Sequence, residues 1–454
     1  MTTFSATHIQ NPLLTQPIAL LIRRIGIPVG IGAFFNTMFN VVDTYYGGLI
    51  SREVLAALSL SFPIYFVIIA LGFGLSTGNT ALIGNALGGG KREMAERYAI
   101  QGLVLGLLLA LVVTVAGVMA APWLYTLLGA SGEYLATGLR YINPIFYGTI
   151  FFVFVQMLNS ILNAIGQTKP YRNFLVAGFL LNLLLDPWFI YGGLGLPPMG
   201  ITGIALATVL VQLLGGVYLL WAVARSDLIS WASVRRNWGL QPAVARQILQ
   251  QGLPNIIDLS SISIGFFILT FFVSQFGQSA VAAFGAAARI EQVVLLPLIG
   301  LDVATLSLIA QNNGAHLTER VTTIFTTALR YGMIIMFVGF VIVMLFAPQL
   351  MALFSDDAEV IRIGASYIRI KAWALFPSVF TFVGFAAMRG VKKPFRALIL
   401  SMLRMVFIPL VFVYLFVEQW GYGLNAIWWI ATGSGLVVGL IAYVYAQRLL
   451  SSSS

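Results

Sequence analysis

No cysteine occurs among the 454 residues, which excludes disulfides, thiolate metal sites and cysteine nucleophiles. Histidine is almost as scarce. His8 lies in the N-terminal tail and His316 in a connection between apolar runs, so neither can serve an acid–base dyad inside a membrane. Charge is the third shortage: Lys, Arg, Asp and Glu make up 9% of the chain, whereas 59% is hydrophobic and the mean hydropathy is +0.93. A soluble domain carries about 25% charged residues, so this chain is dissolved in lipid. A Walker A sequence, a G-x-S-x-G elbow and any metal-ligand cluster are missing, and Gly88-Gly89-Gly90 follows no strand and reads as a turn between helices. The expectation is a protein that is not an enzyme, with no cofactor and no resident metal. The net charge of +10 does not imply nucleic-acid binding, because the bases sit in short loops between apolar runs. Residues 1–16 are polar and uncharged, with no small-residue cleavage site after a short apolar core, so no cleavable signal is expected.

What is present is a repeat. Pro28 returns as Pro254, Leu55-Ala56-Ala57-Leu58 as Val281-Ala282-Ala283-Phe284, Gly88 as Gly314, Glu93 as Glu319 and Tyr141-Ile142 as Tyr367-Ile368, all 226 residues on. After a slip of two, Gly166-x-x-Lys169-Pro170-Tyr171-Arg172 returns as Gly390-x-x-Lys393-Pro394-Phe395-Arg396. Apolar stretches of spanning length, roughly 20 residues, begin near 17, 55, 100, 134, 172 and 200, and again near 250, 281, 326, 360, 396 and 422. The predicted fold is an all-α integral membrane protein of about twelve transmembrane helices in two six-helix repeats. Six is even, so both repeats enter the membrane in the same direction and are parallel, an arrangement of many secondary transporters. The predicted division is an N-lobe at 1–224, a linker at 225–247 and a C-lobe at 248–454.

Orientation follows from the bases. Alternate connections carry Lys91, Arg92 and Arg97; Lys169 and Arg172; Arg225, Arg235, Arg236 and Arg246; Arg320; and Arg389, Lys392, Lys393 and Arg396. The intervening ones hold Glu53, Glu133, Asp356, Asp357, Glu359 and Glu418. By the positive-inside rule the basic set and both termini are cytoplasmic, in a multi-pass protein of the inner membrane.

Ionisable groups within a span are costly and are functional candidates by default. Asp43 lies 19 residues beyond Arg24 in the first span and Asp186 lies 14 beyond Arg172 in the fifth. At about 1.5 Å per residue these are depths of roughly 28 and 21 Å, both in the outer half of the bilayer. Their repeat counterparts are Leu269 and Leu410, so one lobe alone carries the pair. Asn36, Asn40 and Asp43 form one stripe by i, i+4, i+7 spacing, and Asn182 shares a face with Asp186. Gln156, Asn159 and Asn163 stripe the fourth span, where Tyr141 lies in the outer half, and Thr208 reaches similar depth in the sixth. Asn36, Asn40, Gln156 and Asn163 are candidate lining of a substrate cavity, and for Gln156 or Asn163 alone interhelical hydrogen bonding serves equally well. No Lys or Arg of this half is placed to neutralise both aspartates. Two carboxylates beside amide and hydroxyl oxygens can accept a proton or ligate a small monovalent cation such as Na+. Pro28 precedes Asp43 by 15 residues and Pro187 follows Asp186 directly. A proline removes a helical hydrogen bond and favours a kink, so Pro28 is a candidate hinge, with a static bend as the other reading.

The second half has charges of its own. Arg289 and Glu291 read as a local, mostly neutralised pair, and Asp302 as a hydrated group near the cytoplasmic end. Asp258 and Glu291 fall near mid-membrane, where they could meet substrate, and Arg404 lies in the eleventh span.

The whole chain resembles the multidrug and toxic compound extrusion (MATE) transporters, in particular their DinF-like branch. The resemblance is carried by the Pro28…Asp43 spacing, by Asn182-x-x-x-Asp186-Pro187, by Gly200-x-x-Gly203-x-x-x-Ala207-Thr208 and by Arg289-Ile290-Glu291. It implies a V-shaped molecule that opens alternately to each side and expels lipophilic, often cationic drugs against inflow of H+ or Na+. Carried over, it implies that Asp43 and Asp186 couple transport to the cation, with Asn182, Asn159, Tyr141 and Thr208 in their network and Pro28 bending when the nearby aspartate is protonated. Thr202, one and a half turns before Thr208, competes for the last place. The implied partners are small organic cations and the bilayer, with no nucleic acid, and the protein is expected to act as a monomer. A lipid-linked-oligosaccharide flippase of the same superfamily should line its cavity with Arg or Lys for pyrophosphate, and the N-lobe lacks them. A major-facilitator carrier should show a Gly-x-x-x-Asp-Arg loop where Gly88-Gly89-Gly90-Lys91-Arg92-Glu93 stands. A membrane enzyme would need a catalytic constellation.

Overall fold

The structure, a computed structural model, describes residues 11–193 and 195–451. His8 lies outside the described residues. Among them every regular element is helical, apart from one isolated bridge between Gly193 and Leu196. The first six long helices are α1 (Ile18–Ile50), α2 (Arg52–Gly88), α3 (Arg92–Leu127), α4 (Gly132–Ala164), α5 (Lys169–Tyr191) and α6 (Ile201–Ala224). The second series is α7 (Pro242–Ser274), α8 (Gln278–Gly314), α9 (Thr318–Ala352), α10 (Ala358–Ala372), α11 (Leu375–Gly390), α12 (Pro394–Gln419) and α13 (Leu424–Ser451). Eleven of these are long and apolar enough to cross a membrane, and α10 with α11, bent by 53° at the break between them, makes a twelfth span. The expected twelve-span, two-repeat architecture is therefore present.

Length and composition explain the helices. α1, α2, α3 and α8 run 33 to 37 residues, about 50–55 Å at 1.5 Å per residue. That exceeds a hydrocarbon core of about 30 Å, so each tilts or carries an end beyond the lipid. With no water to satisfy open backbone, helix is the solution for a span, and Ser and Thr along it bond to carbonyls one turn back, as Thr80 does to Ser76. Turn chemistry closes the ends. Asp357 accepts from the amides of Glu359 and Val360 at the start of α10, and Gly90, at φ +71, forms the turn after α2. In α12 the backbone slips into π-helical turns at Leu403–Phe407 and Tyr414–Gln419. The 225–247 connection contains a short helix, Trp231–Asn237, capped by Ser230. It is fastened to α3 by the fully buried Gln101, which donates to the carbonyls of Asn237 and Gly239 and accepts from the amide of Gln241.

Packing divides the chain into two compact units, and the division does not follow chain order. One unit holds 31–87 and 91–256. The other holds the described residues up to Gly30, then 88–90, and everything from Ile257 onward. The first part of α1 thus packs with the C-terminal spans, and the first part of α7 packs with the N-terminal ones. The crossover points, after Gly30 and after Ile256, obey the same 226-residue offset as the repeat, and each lies two residues beyond a proline, Pro28 or Pro254. Each crossing is sealed within its unit by a glycine at equivalent positions. A Cβ on Gly300 would lie 2.3 Å from the Gly26 carbonyl oxygen, and one on Gly74 would lie 2.6 Å from the Ile256 amide nitrogen. Only a residue without a side chain admits backbones this close.

Candidate functional site

In the N-terminal unit, α1, α5 and α6 bring three of the predicted residues onto Asp43. α5 presents Asn182 and Asp186 one turn apart on one face, and both side chains are completely buried. The Asn182 amide donates through one nitrogen to two carboxylates, at 2.6 Å to Asp43 Oδ1 and 2.9 Å to Asp186 Oδ2. The shared donor thus holds the two carboxyl groups next to each other. Thr208 on α6 donates to Asp43 Oδ2 at 3.3 Å and shares its hydroxyl with the Ile204 carbonyl. Thr202 instead donates to the Arg140 carbonyl, so the hydroxyl beside the aspartate is Thr208.

Satisfaction is incomplete. Asp186 Oδ1 and Asn182 Oδ1 are buried without a hydrogen-bond partner, and so is Asn159 Oδ1 on α4. Among the described residues no Lys or Arg pairs with Asp43 or Asp186. Two unit charges at about 4 Å repel by about 4 kcal/mol at an effective dielectric of 20. A proton held between them removes the repulsion, and a bound monovalent cation offsets it. Either could engage the idle Asp186 oxygen. Among the described residues no three His, Cys, Asp or Glu side chains group as a metal site. The available oxygens are those of Asp43, Asp186, Asn182 and Thr208.

The remaining candidates divide. Tyr141 is buried on α4 within electrostatic reach of both aspartates. Asn36 and Asn40 are exposed, and Asn40 bonds back to the Asn36 carbonyl, so two members of the α1 stripe stay outside the Asp43 network. Gln156 accepts from the Tyr171 hydroxyl at 3.3 Å, and Asn163 is buried with an unpartnered Oδ1. Pro28 is buried inside an unbroken α1. Two residues escaped the sequence reading. Tyr65 on α2 lies within reach of Asp43 and packs edge-on against Phe152, and Tyr46 donates to the Leu183 carbonyl on α5 at 3.3 Å. A signal for Tyr65 existed: its repeat counterpart is Glu291.

Two expectations for the second half are corrected. Glu291 does not pair with Arg289. It accepts from Tyr367 at 2.7 Å and pairs with Lys371 at 3.3 Å, because residues two apart on a helix point in different directions. Asp302 is not a hydrated end group. It is buried and paired with Arg389 at 3.0 Å, a partner on α11, far along the chain, that spacing could not reveal. Asp258, on α7, is half-buried.

With this geometry in hand, comparison with known proteins adds the family. A family model described as MatE matches residues 28–188 and again 254–415, two stretches whose starts carry the offset of the repeat. The chain is similar to the FAD transporter of Shewanella oneidensis, 26% identical over 450 residues covering 97% of each chain. It is also similar to the multidrug export protein MepA of Staphylococcus saprophyticus, 25% identical over 435 residues and 93% of each. A crystal structure of MATE in complex with MaD3S superposes with a TM-score of 0.91 at 28% identity, covering 97% of this chain and 98% of that one. Repeat, twelve spans and family match agree: the chain belongs to the MATE family and is a multi-pass membrane transporter of small molecules, not an enzyme.

Proposed function

We propose that the protein is a secondary active antiporter that exports lipophilic, often cationic compounds in exchange for H+ by alternating access, as in the DinF-like branch. The observation that carries this reading is the shared Asn182 nitrogen, one neutral donor holding two buried carboxylates with no base beside them. Entry of a proton at Asp43 or Asp186 turns one acceptor into a donor, so the carboxyls can bond to each other and Asn182 is released to rearrange. Tyr141, Asn159 and Thr208 border that change. Pro28, 15 residues before Asp43 on the same helix, is the hinge through which the change is transmitted. H+ is preferred over Na+ on the resemblance to the DinF-like branch, and a proton shared between the two carboxyls satisfies the unpartnered Asp186 Oδ1. Asp258 and Glu291 are proposed to border the substrate. The protein is placed in the inner membrane as a monomer with both termini cytoplasmic, without a cofactor.

The test is ethidium efflux from proteoliposomes driven by an imposed pH gradient without sodium, or by a sodium gradient at fixed pH. The wild type should respond to the pH gradient and Asp43→Asn should not. Strict dependence on sodium overturns the choice of ion. Wild-type efflux by Asp43→Asn overturns the site.

A further inference from the structure

Charges inside the C-terminal unit are unequally engaged. Glu291 is held by Lys371 and Tyr367, and Asp302 by Arg389. Asp258 on α7 and Arg404 on α12 belong to neither pair. Among the described residues neither has an ion-pair partner within 4.0 Å, although Arg404 lies within electrostatic reach of Glu291 and Asp258, and Asp258 of Arg389 and Arg404. A guanidinium in a span without an ion-pair partner is costly, and the fold does not require it: the repeat counterpart of Arg404 is Leu180, 54% exposed.

The surroundings of Arg404 are built rather than incidental. Its Nη1 donates to Thr381 Oγ1 at 3.2 Å, and Thr381, itself buried, already gives its own proton to the Pro377 and Ser378 carbonyls. A guanidinium has five N–H donors in a planar fork. Among the described residues the one hydrogen bond of the guanidinium is that to Thr381, so its other donors are available to a ligand. Arg404 also lies in the Leu403–Phe407 π-helical turn, a backbone form that is rare and concentrates at functional sites. That turn is held tightly against α7: a Cβ on Gly265 would lie 2.5 Å from the Met405 carbonyl oxygen, and the Ser261 and Ser401 hydroxyls meet at 3.2 Å. On α13, Gly435 leaves room beside the guanidinium, since a Cβ there would first meet Arg404 Nε, at 3.9 Å.

We propose that Arg404 is the oxyanion-recognising residue of a solute site inside the C-terminal unit, with Asp258 accepting N–H or ammonium groups of the same solute, so that the transported class includes amphiphiles bearing a phosphate or carboxylate. A planar fork pairs with such oxyanions through two parallel hydrogen bonds. The inference deepens the efflux reading and rests on it only for the direction of transport.

Binding of FAD, which carries phosphates and N–H groups, is compared with binding of ethidium, a cation without an oxyanion, by fluorescence on the purified full chain in phosphatidylcholine nanodiscs. No gradient is needed, so failure here is distinct from failure of proton coupling. In Arg404→Gln the ratio of FAD to ethidium affinity should fall roughly tenfold or more, as expected for loss of charge-assisted bonds. Arg404→Lys should recover part of it, because a point charge replaces the fork. Gly435→Leu, which fills the neighbouring space and keeps the charge, should lower the same ratio and serves if Arg404→Gln does not fold. A phosphatidylethanolamine headgroup shares the ligand chemistry. If adding this lipid weakens FAD binding by the wild type but not by Arg404→Gln, the occupant is the headgroup, and if FAD binding is unchanged the occupant is the free solute. A ratio within twofold of wild type in monodisperse Arg404→Gln, or FAD binding that does not depend on Arg404, overturns the proposal.

Discussion

Replacing Asn182 with leucine tests whether the polar knot of the N-terminal unit responds to charge or only holds helices together. The substitution keeps the approximate volume and removes both N–H groups, those at 2.6 Å from Asp43 and 2.9 Å from Asp186. A hydrogen bond to an ionised group contributes about 1.5–3 kcal/mol net, so two are on the order of 3–6 kcal/mol when both carboxylates are charged. An amide N–H favours a carboxylate over a carboxylic acid. The contribution is therefore present where the acids are ionised, at high pH, and fades as they take up protons on acidification. Each kcal/mol moves the midpoint by about 2–4 °C for a unit of this size, so the deficit of Asn182→Leu should be on the order of 10 °C at alkaline pH. It should be only a few degrees at acidic pH. Thermal unfolding of wild type and variant in detergent at pH 5 and pH 8.5 reads this directly, as a difference of differences. Equal deficits at both pH values, or a larger one at pH 5, would refute the reasoning and leave Asn182 as an ordinary interhelical contact.

Asp43→Asn and Asp186→Asn should each abolish proton-driven ethidium efflux, and the double variant should be no worse than the more damaging single. Additive losses in efflux rate would mean two independent sites. Pro28→Ala restores a helical N–H and should favour the straight form of α1 by something on the order of a few kcal/mol, enough to leave little of a bent state. Its turnover should fall while the carboxylates still bind protons, and a wild-type rate would remove the hinge from the cycle. Gly300→Ala puts a Cβ 2.3 Å from the Gly26 carbonyl oxygen, whereas Gly433 has nothing within 4 Å of the corresponding position. The first should lower the unfolding midpoint, and the second should leave it unchanged or raise it slightly, since Ala in place of Gly adds at most about 1 kcal/mol of helix propensity. A reversed order would contradict the close crossing of α1 and α8.

Some of this was legible in the chain alone. An offset of 226 residues, twelve apolar runs and the scarcity of charge determine a doubled membrane bundle, because backbone in lipid has few ways to satisfy its polar groups. Helical periodicity places Asn182 and Asp186 on one face, and the high cost of charge in a span marks Asp43 and Asp186 before any contact is known. Periodicity describes a helix by itself, however, and says nothing of which face meets which neighbour. That Thr208 rather than Thr202 reaches Asp43, that Asn36 and Asn40 turn away from it, and that Glu291 pairs with Lys371 instead of its neighbour Arg289 were decided by the packing of helices distant in sequence. The same holds for Asp302, whose partner Arg389 comes from another helix, and for the exchange of first-helix segments between the two units. Contacts of that kind depend on how close two backbones can approach, which Gly300 and Gly74 set only when the opposite backbone is already in place.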